Sequence, residues 1–234
     1  MRTTVLAAIK AGTVGMALLS LIAAQAQVPA TVLAGQPTLG AAGVWPQAAP
    51  ASEWTSLAVV ATPDAPLMLT GNEDLPEGSL VATRRVGDTV TVPPASSLRI
   101  FADMAVFGTQ GGLILANLAP SGDPASRRIF IREVNRGAEW HVAYQEKGAE
   151  RAAPVLTLPG GDHGDFEFIL DADGRHGAIV FADGTLGVFD LGEDFFAATG
   201  QRGVATLLYG TLRTRVVVQK MELLAYAPLP AQPS

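Results

Sequence analysis

From Glu53 onward apolar and polar residues alternate. In "SLRIFADMAVF", residues 97–107, Leu98, Ile100, Ala102, Met104 and Val106 share one parity, while Arg99 and Asp103 punctuate the other. A period of two predicts a strand with one face on a core. In "EWHVAYQEK" Trp140, Val142 and Tyr144 alternate with Glu139, His141, Ala143 and Gln145. In "DFEFILDAD" Phe166, Phe168 and Leu170 stand opposite Asp165, Glu167 and Asp171. The same reading predicts strands over 56–61, 78–85, 88–92, 111–118, 128–134, 153–158, 203–209 and 213–226. "PEGS", "TQGG", "PSGDP", "PGGDHG" and "ATGQRG" supply turn residues between them. Helical spacing is nearly absent, apart from one short turn in "EDFFAATG". Many strands at short spacing predict an all-β, two-sheet sandwich or a barrel.

The stretch "AIVFADGTLGVFDL", residues 178–191, predicts a hairpin turning at Asp183-Gly184, the dipeptide favoured by a type I′ turn. A two-residue loop there pairs Ala182 with Thr185, Phe181 with Leu186, Val180 with Gly187 and Ile179 with Val188. It puts Ile179, Phe181, Leu186 and Val188 on one core-facing patch. Gly187, beside Val180, then marks a place on the other face where a backbone could approach.

The pattern before Glu53 is different. "MRTTVLAAIK" is a positive start, "AGTVGMALLSLIAA" an uncharged apolar run, and Ala24-Gln25-Ala26 a small-x-small cleavage site, so residues 1–26 predict a signal peptide. The apolar run is shorter than the roughly 20 residues of a spanning helix, so no stable membrane span is expected after cleavage. Export from a bacterial host is expected to give an intact mass corresponding to a chain that starts at Gln27; a mature protein retaining Met1 would refute it. Residues 27–52 carry no charge and four prolines and read as an Ala/Pro-rich linker, or an arm laid over the domain, with Trp45 as an anchor on the core or, alternatively, an exposed recognition aromatic. The domain is expected over 53–228 and a tail over 229–234.

Composition narrows the function. The 234 residues include 16 Lys and Arg and 22 Asp and Glu; removing Arg2 and Lys10 leaves 14 basic residues and a charge of −8 for the remainder. An acidic body without a basic cluster argues against nucleic acid as a partner. The chain has no Cys, which excludes a lipid-anchored lipobox, a disulfide framework and thiolate metal sites. Export without disulfides suits a secreted or periplasmic bacterial protein.

The run from Asp165 to Tyr226 resembles the last strands of the concanavalin A-like, laminin-G-like jelly rolls: a strand, an Asp-Gly hairpin, a "hydrophobic-Asp-Leu" segment, a Gly-bounded strand and a closing strand that returns beside the first. "SSLRIFADMAVFGTQGGLILANL" and "RRIFIREVNRGAEWHVAY" are similar to the earlier part of that pattern. The resemblance covers residues 53–228 and implies an antiparallel two-sheet sandwich and a functional range from carbohydrate-binding modules to glycosidases and adhesion modules. Fold alone does not choose among these.

The catalytic patterns are missing. Family 16 glycoside hydrolases carry Glu-x-Asp-x-x-Glu on one strand, which puts two carboxylates on one face. "DFEFILDAD" comes closest, but its order differs and Ile169 interrupts the acids. There is no Gly-x-Ser-x-Gly, His-Glu-x-x-His or phosphate loop with Lys. "GGDHGD" gathers Asp162, His163 and Asp165 in a Gly-rich turn, read as a solvated loop with a metal or substrate loop as the alternative. "DADG", 171–174, reads as an Asp-Gly turn, since the later ligands of a calcium loop are missing. No cofactor is expected; the resemblance leaves a loop calcium open.

A recognition surface is expected on the polar face of the strand at 139–145. Glu139, His141 and Gln145 project there, with Arg132 on a neighbouring strand, and Phe101 and Tyr209 are candidate exposed aromatics for a sugar ring. The leading expectation is a non-enzymatic exported module that binds a glycan or an envelope protein. The alternatives are an envelope structural subunit docking through its arm and a carbohydrate-active hydrolase.

Overall fold

A computed structural model describes residues 54–118, 124–146, 149–150, 153–161, 164–197 and 202–226. The expected signal peptide, the arm at 27–52 and the tail lie outside the described residues.

Among the described residues fourteen strands follow in chain order: β1 Trp54–Ala61, β2 Leu67–Thr70, β3 Val81–Thr91, β4 Ser97–Phe107, β5 Gly111–Leu118, β6 Pro124–Val134, β7 Glu139–Glu146, β8 Ala149–Glu150, β9 Leu156–Pro159, β10 Asp165–Leu170, β11 His176–Phe181, β12 Leu186–Asp190, β13 Gly203–Thr211 and β14 Arg215–Tyr226. The first sheet runs β1-β14-β4-β10-β11-β12, with β2 also on β14; the second runs β3-β13-β5-β6-β7-β8, with β9 also on β7. Every pairing is antiparallel. This is the two-sheet jelly-roll sandwich expected from the sequence, with the closing strand β14 between β1 and β4.

The alternation does the work of placing the core. Leu98, Ile100, Ala102 and Met104 of β4, Phe166, Phe168 and Leu170 of β10, and Trp140, Val142 and Tyr144 of β7 are buried between the sheets. Trp140 of the second sheet meets Phe181 and Phe166 of the first at ring-centroid distances of 5.2 and 5.6 Å. Phe168 stacks on Phe189 at 5.3 Å. At one end Arg127 bonds Glu193 at 2.6 Å and the Asp194 carbonyl, and Asn117 donates to the Phe195 carbonyl at 2.7 Å. These ties fasten the short turn of "EDFF" across the sandwich.

Three local expectations need correction. The two predicted strands at 78–85 and 88–92 are one strand, β3, in which Gly87 takes a positive φ of 68°. β2 was not anticipated.

The hairpin is also one residue longer in its loop. Phe181 N donates to Thr185 O and Gly184 N to Phe181 O, both at 2.9 Å, so Ala182, Asp183 and Gly184 form a three-residue loop. A type I′ turn needs positive φ at both central residues. Only Gly184 (88°) has it; Asp183 instead accepts from Thr185 N at 2.8 Å. The observed partners are Val180 with Leu186, Ile179 with Gly187 and Ala178 with Val188.

A one-residue slip moves every side chain to the opposite face. Leu186 and Val188 therefore leave the core, and Phe189 and Leu191 enter it. Gly187 lies on the core side, where a Cβ would stand 2.5 Å from Leu156 Cδ2. The close approach there is by the leucines of β9, not by a backbone.

Candidate functional site

The strands that give one parity to the core present the other outward. On the second sheet the register puts Arg132 opposite His141, His141 opposite Thr157, Gly112 opposite Arg132 and Tyr209 opposite Gly112. One continuous row, Thr157–His141–Arg132–Gly112–Tyr209–Thr83, crosses the outer face. Strands about 4.8 Å apart make it about 24 Å long. The next row is apolar, Ala143–Phe130–Ile114–Leu207, and ends at Arg85; the one beyond pairs Gln145 with Arg128. Glu139 stands at the end of β7, paired with Pro159.

The polar groups are tied to one another over an apolar floor. Ile114, Phe130, Ala143 and Tyr209 form a cluster of their own, with Leu207 packed on it. Tyr209 meets Phe130 edge-on at 5.8 Å and its hydroxyl accepts from Gln110 Nε2 at 2.7 Å. The Arg132 guanidinium lies 5.5 Å from the Phe130 ring centre. His141 Nε2 is 2.8 Å from Glu139 Oε2. Gln145 Oε1 is buried without a hydrogen-bond partner among the described residues.

Four of the candidate residues thus share one face with Tyr209: Glu139, His141, Gln145 and Arg132. Tyr209 is only 3% exposed, so it is part of the floor and not an exposed ring. Phe101 is in the other sheet, on the outer side of β4, with Lys220 Nζ 4.7 Å from its ring centre. It cannot join the set. Phe130, Ile114, Leu207, Arg128 and Thr157 were missed. The alternation of "RRIFIREV" contained the signal for Arg128 and Phe130, since Ile129 and Ile131 claim the core side.

The carboxylate-rich turns are occupied by their own hydrogen bonds. Asp171 is buried and accepts from Ser97 Oγ (3.2 Å) and Ala172 N (2.7 Å); burial nevertheless raises its pKa. Asp173 accepts from Arg175 N (2.8 Å) and contacts His176 Nδ1 (2.5 Å). Asp190 receives both Arg175 Nε and Nη2 at 2.6 Å, which holds its carboxyl far below the usual range. Asp165 faces Asp103 across β10 and β4, and Asp103 is raised by burial first and by that neighbouring charge second. Asp162 and His163 lie outside the described residues. Among the described residues no group of three or more His, Cys, Asp or Glu is placed to hold a metal ion. A concavity of about 430 Å³ opens between β1 and β3. Its lining is mostly aliphatic side chains and edge backbone, with Asp88 its one charged residue.

No family model matches the chain, and no curated protein matches it. Among solved structures it is similar to a Lotus tetragonolobus seed lectin (10% identity, TM-score 0.47, covering 76% of this chain and 94% of the lectin). It is similar to SCLam, a non-specific endo-β-1,3(4)-glucanase from family GH16 (14%, 0.46, 81% and 98%). It is also similar to a carbohydrate-binding module of Bacillus subtilis (10%, 0.42, 73% and 95%). At these identities no residue's role transfers to this chain.

Proposed function

We propose that this protein is an exported, non-enzymatic binding module that recognises a glycan on the outer face of its second sheet. The observation that carries the reading is the row Thr157–His141–Arg132 beside Gln145 and Arg128, polar groups raised over the Phe130–Ile114–Leu207 floor. Hydroxyls of a sugar need donors and acceptors in a plane, and the polar rows supply them; the floor beneath, with Ile114 and Phe130 buried, holds those groups in place. The donor side is met by Arg128, Arg132 and the His141 ring, the acceptor side by Glu139.

The non-enzymatic part is supported by the same strand. Two-carboxylate hydrolysis needs acids about 5–9 Å apart, whereas the outward positions of β7 are Glu139, His141, Ala143 and Gln145, with Glu139 engaged by His141. The signal-like start supports export to the periplasm or the extracellular space. No helix among the described residues is long and apolar enough to cross a membrane.

Changing Glu139, His141 and Gln145 together to Ala is expected to weaken retention on a glycan array at least tenfold, about 1.4 kcal/mol. The thermal midpoint is expected to stay within a few degrees, because these side chains do not enter the core. Unchanged retention would overturn the site. Binding of the parent protein to an envelope protein but to no arrayed glycan would replace the glycan with a protein partner. Release of reducing ends from a bound glycan would establish the hydrolase.

A further inference from the structure

The outer face of the first sheet is dry, although the core lies on its other side. Leu224, Arg99, Ile169, Ala178 and Val188 stand in one row across β14, β4, β10, β11 and β12, with Glu222, Phe101, Glu167, Val180 and Leu186 in the next. At the centre Ile169 is 1% exposed, Ala178 0%, Val180 2%, Glu167 1% and Arg99 5%. Ile169, Ala178 and Val180 belong to neither apolar cluster of the described residues. Arg99 and Glu167 form an ion pair, but two long side chains lying on one another leave the upper one wet. Glu167 Oε2 is buried without a hydrogen-bond partner among the described residues.

We propose that this face is the docking site of the chain's own segment 27–52. Four features of that segment fit. It is uncharged, and the centre of the face holds one self-neutralising pair, so neither side brings an unpaired charge into the contact. It is rich in Ala, Val, Leu and Pro with a single large ring, Trp45, which suits a shallow apolar surface. Its peptide groups carry N–H donors of the kind that Glu167 Oε2 lacks. It joins the sheet at Trp54, in β1, three strands from β10. That is about 14 Å at 4.8 Å per strand, and Trp45, nine residues before Trp54, has about 30 Å of extended reach. The tail from residue 227 has no aromatic ring and is the less suitable occupant. This docking is independent of the glycan face, which is on the other sheet.

The test places the photoreactive residue benzoylphenylalanine at position 45 of the full chain, expressed in an exporting host and irradiated as purified. The expected product is an intramolecular adduct mapped to residues 99–103, 165–170, 176–181 or 186–190. An adduct on the second sheet, a covalent dimer, or no adduct would overturn the proposal.

A second readout uses the absence of native Cys. A thiol at Val188→Cys should react at least tenfold more slowly than one at Phe107→Cys, at the far end of the same face, where Phe107 is 53% exposed. Adding Trp45→Ala should raise the Val188→Cys rate severalfold. An unchanged rate would show that Trp45 does not cover the face, and protection lost only on removing residues 227–234 would assign the cover to the tail.

Discussion

Phe181→Ala is expected to lower the unfolding free energy by about 3–5 kcal/mol, the range for truncating a fully buried aromatic. Phe181 is 0% exposed and packs at 5.2 Å on Trp140 and 6.0 Å on Phe166, so its ring is one of three that join the two sheets. Removing it leaves a cavity whose walls are strands held by their own ladders, which limits collapse and keeps the cost high. Val188→Ala, one strand away on the half-buried outer face, should cost about 1 kcal/mol or less. Urea denaturation decides: the midpoint should fall for Phe181→Ala with the slope unchanged. A midpoint equal to the parent's would take the ring out of the inter-sheet core.

What the alternation made legible and what it did not can be told from single residues. Leu98, Ile100, Phe166, Phe168, Trp140 and Tyr144 were assigned to the core by parity alone, and all are buried there. Parity carries no information about loop length, and the hairpin shows the consequence. Asp183-Gly184 marked the turn correctly, yet the Asp183 carboxylate bonding Thr185 N favours a three-residue loop, and one extra residue exchanged Leu186 and Val188 for Phe189 and Leu191 in the core.

The same limit divides the candidate site. The neighbourhood of Arg132, His141 and Gln145 follows from two adjacent strands and was readable. Placing Phe101 on the opposite sheet from Tyr209 required the order of strands, which depends on contacts far apart in sequence. Nor could the sequence show that Glu167, an acid on the polar parity of its strand, is covered. Burial of an outer face depends on what lies over it.

That covered acid makes Arg99→Met the second large effect expected. Breaking a buried ion pair from one side leaves the other charge uncompensated, at about 3–5 kcal/mol near neutral pH. The effect has a sign with pH. Burial already holds the Glu167 carboxyl above its ordinary value against the opposing hydrogen bond and charge of Arg99, and removing Arg99 pushes it higher. An acid raised on folding takes up protons between its unfolded and folded pKa values, so stability falls as pH rises through that interval and the loss is complete above the folded value. Arg99→Met should therefore be most destabilised relative to the parent at neutral pH and recover toward it as the medium is acidified through the carboxylate range. Arg99→Met combined with Glu167→Leu should regain most of the loss and show no such recovery, because no buried charge remains. Thermal or urea midpoints of the parent, Arg99→Met, Glu167→Leu and the double variant at several pH values close the cycle. A single variant whose loss is small and flat with pH would mean that Glu167 is solvated, and that the outer face of the first sheet is open to water.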